Sequence, residues 1–205
     1  MKALVLLGHG AALAKAQATA QACSLEHTTL ELPTTDRHTF DLEELFARFP
    51  AAQTEVFVAL DERAVNYARH KLLAEVRLAG YRTINLISPQ TIIADGVELM
   101  GNVYIGPGCN LAPRSRIGAG SWLDRQIIVE ADVRVGSSVT LHAGVQLGQG
   151  AQIGQGSTLG SGSVAPRQAR IGRRCEWLLH SVLPDVLPDR CFYDALMPDG
   201  ARVLS

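Results

Sequence analysis

The 205-residue chain is poor in aromatic side chains, which make up 5% of it. With so few large rings and 19 glycines, its composition suits short strands and tight turns better than a helical bundle. It has no excess of charge of either sign: 19 Lys and Arg stand against 20 Asp and Glu, so nothing electrostatic points to nucleic acid or a membrane surface. Cys23, Cys109, Cys175 and Cys191 form no CxxC pair and no zinc-type spacing, and they read as reduced, mostly buried thiols of a cytoplasmic protein. No apolar run approaches the roughly 20 residues of a membrane span. The one at the start, Ala3 to Leu7, stops at Gly8-His9-Gly10. That is shorter than the roughly 7–15 residues of a secretory signal, so it reads as a first strand entering a turn.

Residues 1–88 alternate between strand and helix patterns. Residues 2–7 read as a buried strand, 11–23 as an alanine-rich helix, His27 to Leu32 as a second strand, and Glu55 to Leu60 as a third. Asp41 and Glu44 match a capping box at the start of a short helix, LEELFAR. Val65, Ala68, Leu72, Val76 and Ala79 then recur at helical spacing, with Arg63, Arg69, His70, Lys71 and Arg77 largely off the stripe and Gly80 as the stop. Tyr81 to Ile87 reads as a fourth strand. The alternation predicts a small parallel α/β domain.

From Thr91 the period changes to six. Sixteen consecutive hexapeptides run to Val186 without an insertion, and their third position is Ile, Leu or Val except at Ala165 and Trp177. A 3.6-residue helix cannot keep one side apolar with that repeat, and a simple hairpin sheet has period two rather than six. A solenoid fits it. Three hexapeptides close a triangular coil, so residues eighteen apart stack at one strand spacing, about 4.8 Å. Residues 91–186 are therefore read as a β-helix and 187–205 as a C-terminal tail that covers its open edge.

The opening Lys2-Ala-Leu-Val-Leu-Leu-Gly-His-Gly, Ile87-Ser-Pro at the junction and the repeats together resemble the hexapeptide-repeat sugar acetyltransferases. The likeness is to those typified by sialic-acid O-acetyltransferase and bacillosamine-pathway N-acetyltransferase. The resemblance implies a Rossmann-like domain before a left-handed β-helix, a homotrimer, and acetyl-CoA bound between neighbouring prisms. It further implies transfer to an amine or hydroxyl of a sugar or nucleotide-sugar, with no metal. Carried over by position, it puts Gly144 and Gly162 beside the cofactor, and Gly8, His9, Gly10, Glu130 and Asp132 beside the substrate.

The chain departs from that pattern in two places. Its turn, Gly8-His9-Gly10-Ala11-Ala12, keeps only the first two glycines of the family's motif, and it reads equally well as a tight turn without a ligand. The family's catalytic histidine aligns without a gap on Ala131, inside Ile128-Val-Glu-Ala-Asp-Val. Alanine accepts no proton.

His142 is the replacement we consider. Asp124 lies eighteen residues earlier, hence one coil below, and a carboxylate there would orient the imidazole as general base in a cleft between subunits. The alternative is a solvated corner histidine. His180, beside Trp177, Leu178 and Leu179, reads as structural or as a substrate contact. Arg114 and Asp132 are also eighteen apart and are expected to pair. Arg167, Arg170, Arg173 and Arg174 place four cations in eight residues, suited to the phosphates of CoA. A γ-type carbonic anhydrase needs three histidines around zinc, whereas the repeats hold only His142 and His180. The expected function is acyl-CoA-dependent transfer to a sugar. The alternative is a non-catalytic trimer that binds a sugar nucleotide or partners an active relative.

Overall fold

In a computed structural model the described residues are 2–33, 39–62 and 64–203; Arg63 lies outside them. The first half is a parallel sheet of β1 (Ala3–Gly8), β2 (Thr28–Glu31), β3 (Thr54–Ala59) and β4 (Arg82–Thr83), in the order β2-β1-β3-β4. Helix α1 (Gly10–Ala22) covers one face. Helices α2 (Glu43–Arg48) and α3 (Tyr67–Leu78) sit over the other, where Leu45, Ala68, Leu72 and Val76 meet Val5, Val56 and Val58. Because β2 and β3 flank β1 on opposite sides, the chain leaves the carboxyl end of β1 at a topological switch point, where open α/β sheets form their crevice.

Residues eighteen apart pair in parallel through the second half, for example Trp122 with Thr140 and Ile128 with Gln146. Three stacked sheets of eight, six and five strands form the sides of a β-solenoid. Its third-position side chains fill the axis: Ile105, Leu111, Ile117, Leu123, Leu141, Leu147 and Leu159 are all fully buried. Some fourth-position glycines are required by clearance rather than by dihedral angle. A Cβ on Gly118 would run into the backbone of Gly136 in the next coil, and one on Gly136 would meet Gly154 and Gln155.

Four sequence expectations are redrawn. The segment 81–87 is not one strand. Arg82–Thr83 joins the α/β sheet, while Leu86–Ile87 pairs with Tyr104–Ile105 and opens the solenoid, one hexapeptide before Thr91. At the far end two residues drop out of a corner, so that Arg170 pairs with Val186 and Glu176 with Phe192. The coil therefore continues to Tyr193, and an antiparallel strand at Ala201–Arg202 then covers its edge. No side chain caps α2 at Leu42; the Asp41 carboxylate instead accepts from the Glu43 N–H at 2.8 Å. Arg69, read as lying off the apolar stripe, is fully buried, because α3 turns a second face to the solenoid.

That second face belongs to the docking of the two halves. On the eight-stranded side the outward residues form a column of Tyr104, Trp122, Thr140 and Thr158, all buried. Tyr104 and Trp122 stack at 4.0 Å between ring centroids, packed against Ala12, Leu13, Phe57 and Leu86. Above them the contact turns polar. The Arg69 guanidinium donates to Leu60 O at 2.9 Å, to Asn66 Oδ1 at 2.6 Å and to Thr140 Oγ1 at 2.7 Å. The Asn66 amide donates to Gly156 O at 3.0 Å and to Thr158 Oγ1 at 2.9 Å. Burial lowers the Arg69 pKa to about 10, with Glu62 and Asp61 pulling it back up, so the group stays cationic at neutral pH. A buried charge needs this many acceptors.

Candidate functional site

The crevice at the ends of β1 and β3 faces the edge of the solenoid that follows the docked side. Gly8 ends β1 pressed against β3; a Cβ there would overlap the Ala59 carbonyl. Gly10 begins α1 with a φ of +57°, which favours glycine. Both glycines thus have backbone reasons independent of any ligand. Between them, the His9 ring lies 3.4 Å from Glu31 at the end of β2.

Below the turn, Ala11, Ala12, Lys15, Glu62, Trp122, Asp124, Thr140 and His142 line one pocket of about 60 Å³. Asp124 and His142 do share this edge, because the Asp124 N–H donates to Leu141 O and the His142 N–H to Leu159 O. Their side chains have other partners. Asp124 Oδ2 meets Lys15 Nζ at 2.8 Å, and Asp124 Oδ1 accepts from the Arg125 N–H at 3.0 Å. His142 Nε2 lies 3.5 Å from Glu62 Oε1. The pocket's second wall is the chain's own α/β domain, which supplies Lys15 and Glu62.

The remaining candidates are spread around the prism. Glu130, Ala131 and Asp132 lie on the next edge, after the five-stranded side. There Arg114 and Asp132 make the expected stacked pair, at 2.7 and 2.9 Å. That pair holds the Asp132 carboxyl below its ordinary range and the Arg114 guanidinium above its own. Arg167 shares this edge and donates to Gln149 at 2.9 Å. Arg170 faces outward on the six-stranded side, and Arg173 and Arg174 occupy the third edge, where Arg173 pairs with Asp189 at 3.0 Å. The four arginines are therefore not one cluster: three residues of chain already turn a corner of a hexapeptide coil. Arg173 and Arg174 instead line a pocket of about 170 Å³ with Gln155, Asp189 and Arg190.

Gly144 shares the His142 corner and Gly162 stacks on it one coil above, both with positive φ. Gly162 is covered by His180, whose ring occupies the place of a Cβ and whose Nδ1 lies 2.7 Å from Ser161 O. His180 is thus packed onto its own coil. Among the described residues no three His, Cys, Asp or Glu side chains converge as metal ligands, and no helix is long and apolar enough to cross a membrane.

Lys15, Glu62 and Asn66 were missed by sequence reasoning, and Arg69 was read only as lying off the apolar stripe. One signal was available: of the three outward columns, only Tyr104-Trp122-Thr140-Thr158 begins with stacked aromatics, which marks the side that something covers.

No protein-family profile matches the sequence. Among solved structures, the chain resembles PerB of Caulobacter crescentus in complex with CoA and GDP-perosamine, at 21% identity and a TM-score of 0.64. That match covers 94% of this chain and 93% of the other. A mutant of GDP-perosamine N-acetyltransferase from the same organism, with CoA and GDP-perosamine, matches at 22% identity, a TM-score of 0.64 and the same coverage. At these identities the likeness is one of fold, and it extends over both the α/β half and the solenoid.

Proposed function

We propose that the protein is an acyl-CoA-dependent acyltransferase. In this reading it moves an acetyl group from acetyl-CoA to an amine or hydroxyl of a sugar or nucleotide-sugar, as a cytoplasmic homotrimer with a left-handed coil. The observation that carries it is the pocket itself: a histidine on a solenoid edge faces the switch-point crevice of an α/β domain. Over 94% of its length the chain shares the fold of PerB, solved with CoA and GDP-perosamine.

In this reading His142 removes a proton from the acceptor nitrogen or oxygen as that atom attacks the thioester carbonyl. The carbon–sulfur bond breaks, and CoA leaves as a thiolate that takes up a proton. Asp124, neutralised by Lys15, forms a polar wall beside the base. Gly8, His9 and Gly10 face the nucleotide side. Arg174 and Arg190, at the upper coils, suit the phosphates of CoA. Release of free CoA from acetyl-CoA with GDP-perosamine and other nucleotide amino-sugars is the assay. His142→Ala should lower the rate at least about a hundredfold, the scale for loss of a general base. Absence of acetyl-CoA binding by calorimetry at millimolar concentration would sink the proposal.

Ala131 favours a second reading, a trimer without catalysis that binds a sugar nucleotide or partners an active relative. Nucleotide-sugar binding with no CoA release from the wild-type chain is its signature.

A further inference from the structure

Four charged or titratable side chains line the small pocket, and they sort into two pairs. Lys15 holds Asp124, whose second oxygen already accepts the Arg125 N–H, so both carboxylate oxygens are engaged away from the imidazole. The carboxylate that faces His142 Nε2, at 3.5 Å, is Glu62. With the proton on Nε2, facing that carboxylate, Nδ1 keeps the lone pair, the arrangement in which a carboxylate fixes tautomer and ring orientation.

Glu62 is held in place by the docking network. Its carbonyl accepts the Asn66 N–H at 2.9 Å across a turn in which Ala64, Val65 and Asn66 all have φ between +53° and +60°. For a β-branched residue such as Val65 that region is an outlier, and such strain persists where surrounding contacts over-determine it. Those contacts are visible. Asn66, fully buried, grips the solenoid through Gly156 O and Thr158 Oγ1, and its Oδ1 accepts from Arg69 and from Thr140 Oγ1, each at 2.6 Å. Thr140 lies two residues before His142, so one network fixes both the turn that follows Glu62 and the strand that precedes the histidine. The other charges near this pair are Lys15 and Asp124 in the pocket, Asp61 and Arg69 from the α/β domain, and Glu176 on the solenoid.

We propose that Glu62, carried by the α/β domain, is the positioning residue for His142, so that docking of the two halves completes the base. This rests on the acyltransferase reading, in which His142 is the base. The test uses the full chain with ¹⁵N-labelled histidine, the His142 ring signals being assigned with His142→Gln. In the wild type the neutral His142 ring should be mainly the Nε2–H tautomer. Glu62→Ala should shift it toward a mixture, and Asp124→Asn should leave it unmoved. In CoA-release assays with GDP-perosamine, Glu62→Gln should lower kcat at least about tenfold, as for loss of an orienting carboxylate. The KM for acetyl-CoA should stay within about twofold, and Glu62→Asp should recover part of the rate. A tautomer that moves in Asp124→Asn and not in Glu62→Ala, or in neither, overturns the assignment of Glu62. Full turnover by His142→Ala overturns His142 as the base, and with it the catalytic part of this inference, whereas no CoA release from the wild type overturns the acyltransferase reading.

Discussion

The docked side of the solenoid and its two open sides share one backbone and one interior, and differ only in the outward second residue of each hexapeptide. On the docked side that residue is Tyr104, Trp122, Thr140 or Thr158, each at most 6% exposed, with half-buried Glu176 above them. On the six-stranded side it is Glu98, Arg116, Arg134, Gln152 or Arg170. On the five-stranded side it is Ile92, Asn110, Ile128, Gln146 or Val164, a column with no charge, in which Ile92 is 66% and Ile128 is 41% exposed. A repeat scaffold satisfies its own core coil by coil. Its outward column is therefore free to specify what each side meets, and here one side meets the α/β domain, one meets water, and one is left without charge.

The largest expected effect tests the docked side. Arg69→Ala removes the buried donor shared by Leu60, Asn66 and Thr140 and should cost about 3 kcal/mol, or about 8 °C in Tm. Arg134→Ala on the charged side should change stability by less than about 0.5 kcal/mol in the same melts. Equal losses would erase the distinction between the sides.

The uncharged side is tested by assembly. If the uncharged column forms the self-contact of the proposed trimer, Ile128→Arg places a cation there and should lower the mass measured by light scattering, whereas Arg134→Ala should leave it unchanged. A mass unaffected by Ile128→Arg would exclude this column from the contact.

The smallest effect lies at the upper end of the docked side. Burial holds the Glu176 carboxyl above its ordinary range, and the charges of Glu62 and Asp194 add to the shift. A carboxyl with a raised folded-state pKa favours the fold while protonated, and that contribution is lost as the pH rises through the folded value. Glu176→Gln should therefore raise Tm by about 2 °C at about pH 8 and have little effect at about pH 3, where both states are protonated. A gain that does not depend on pH would point to packing instead.

The axis of the solenoid was legible because each hexapeptide repeats the same packing problem, and sixteen solutions can be compared within one chain. Even Ala165 and Trp177, which break the pattern, still point inward. The order of elements in the first half was legible from alternating periods, apart from the split at residues 81–87, where a seven-residue stretch that reads as one strand conceals the end of one sheet and the start of another. The site was legible in part. Arithmetic by eighteen stacks Asp124 below His142, but stacking of backbones does not pair side chains when a lysine from another element competes for the carboxylate. The arginines misled for the opposite reason, since nearness in sequence becomes separation around a prism that turns every six residues.

Sequence alone determined the period, the axial core, the alternation that precedes it and the shared edge of positions 124 and 142, because each follows from a repeat distance set by backbone geometry. Only the tertiary structure decided which side the α/β domain covers, that Arg69 is buried, and that Lys15 and Glu62 face Asp124 and His142. Those contacts join residues 71 to 109 positions apart through the docking of two separately built cores, and no local period encodes how two finished surfaces meet.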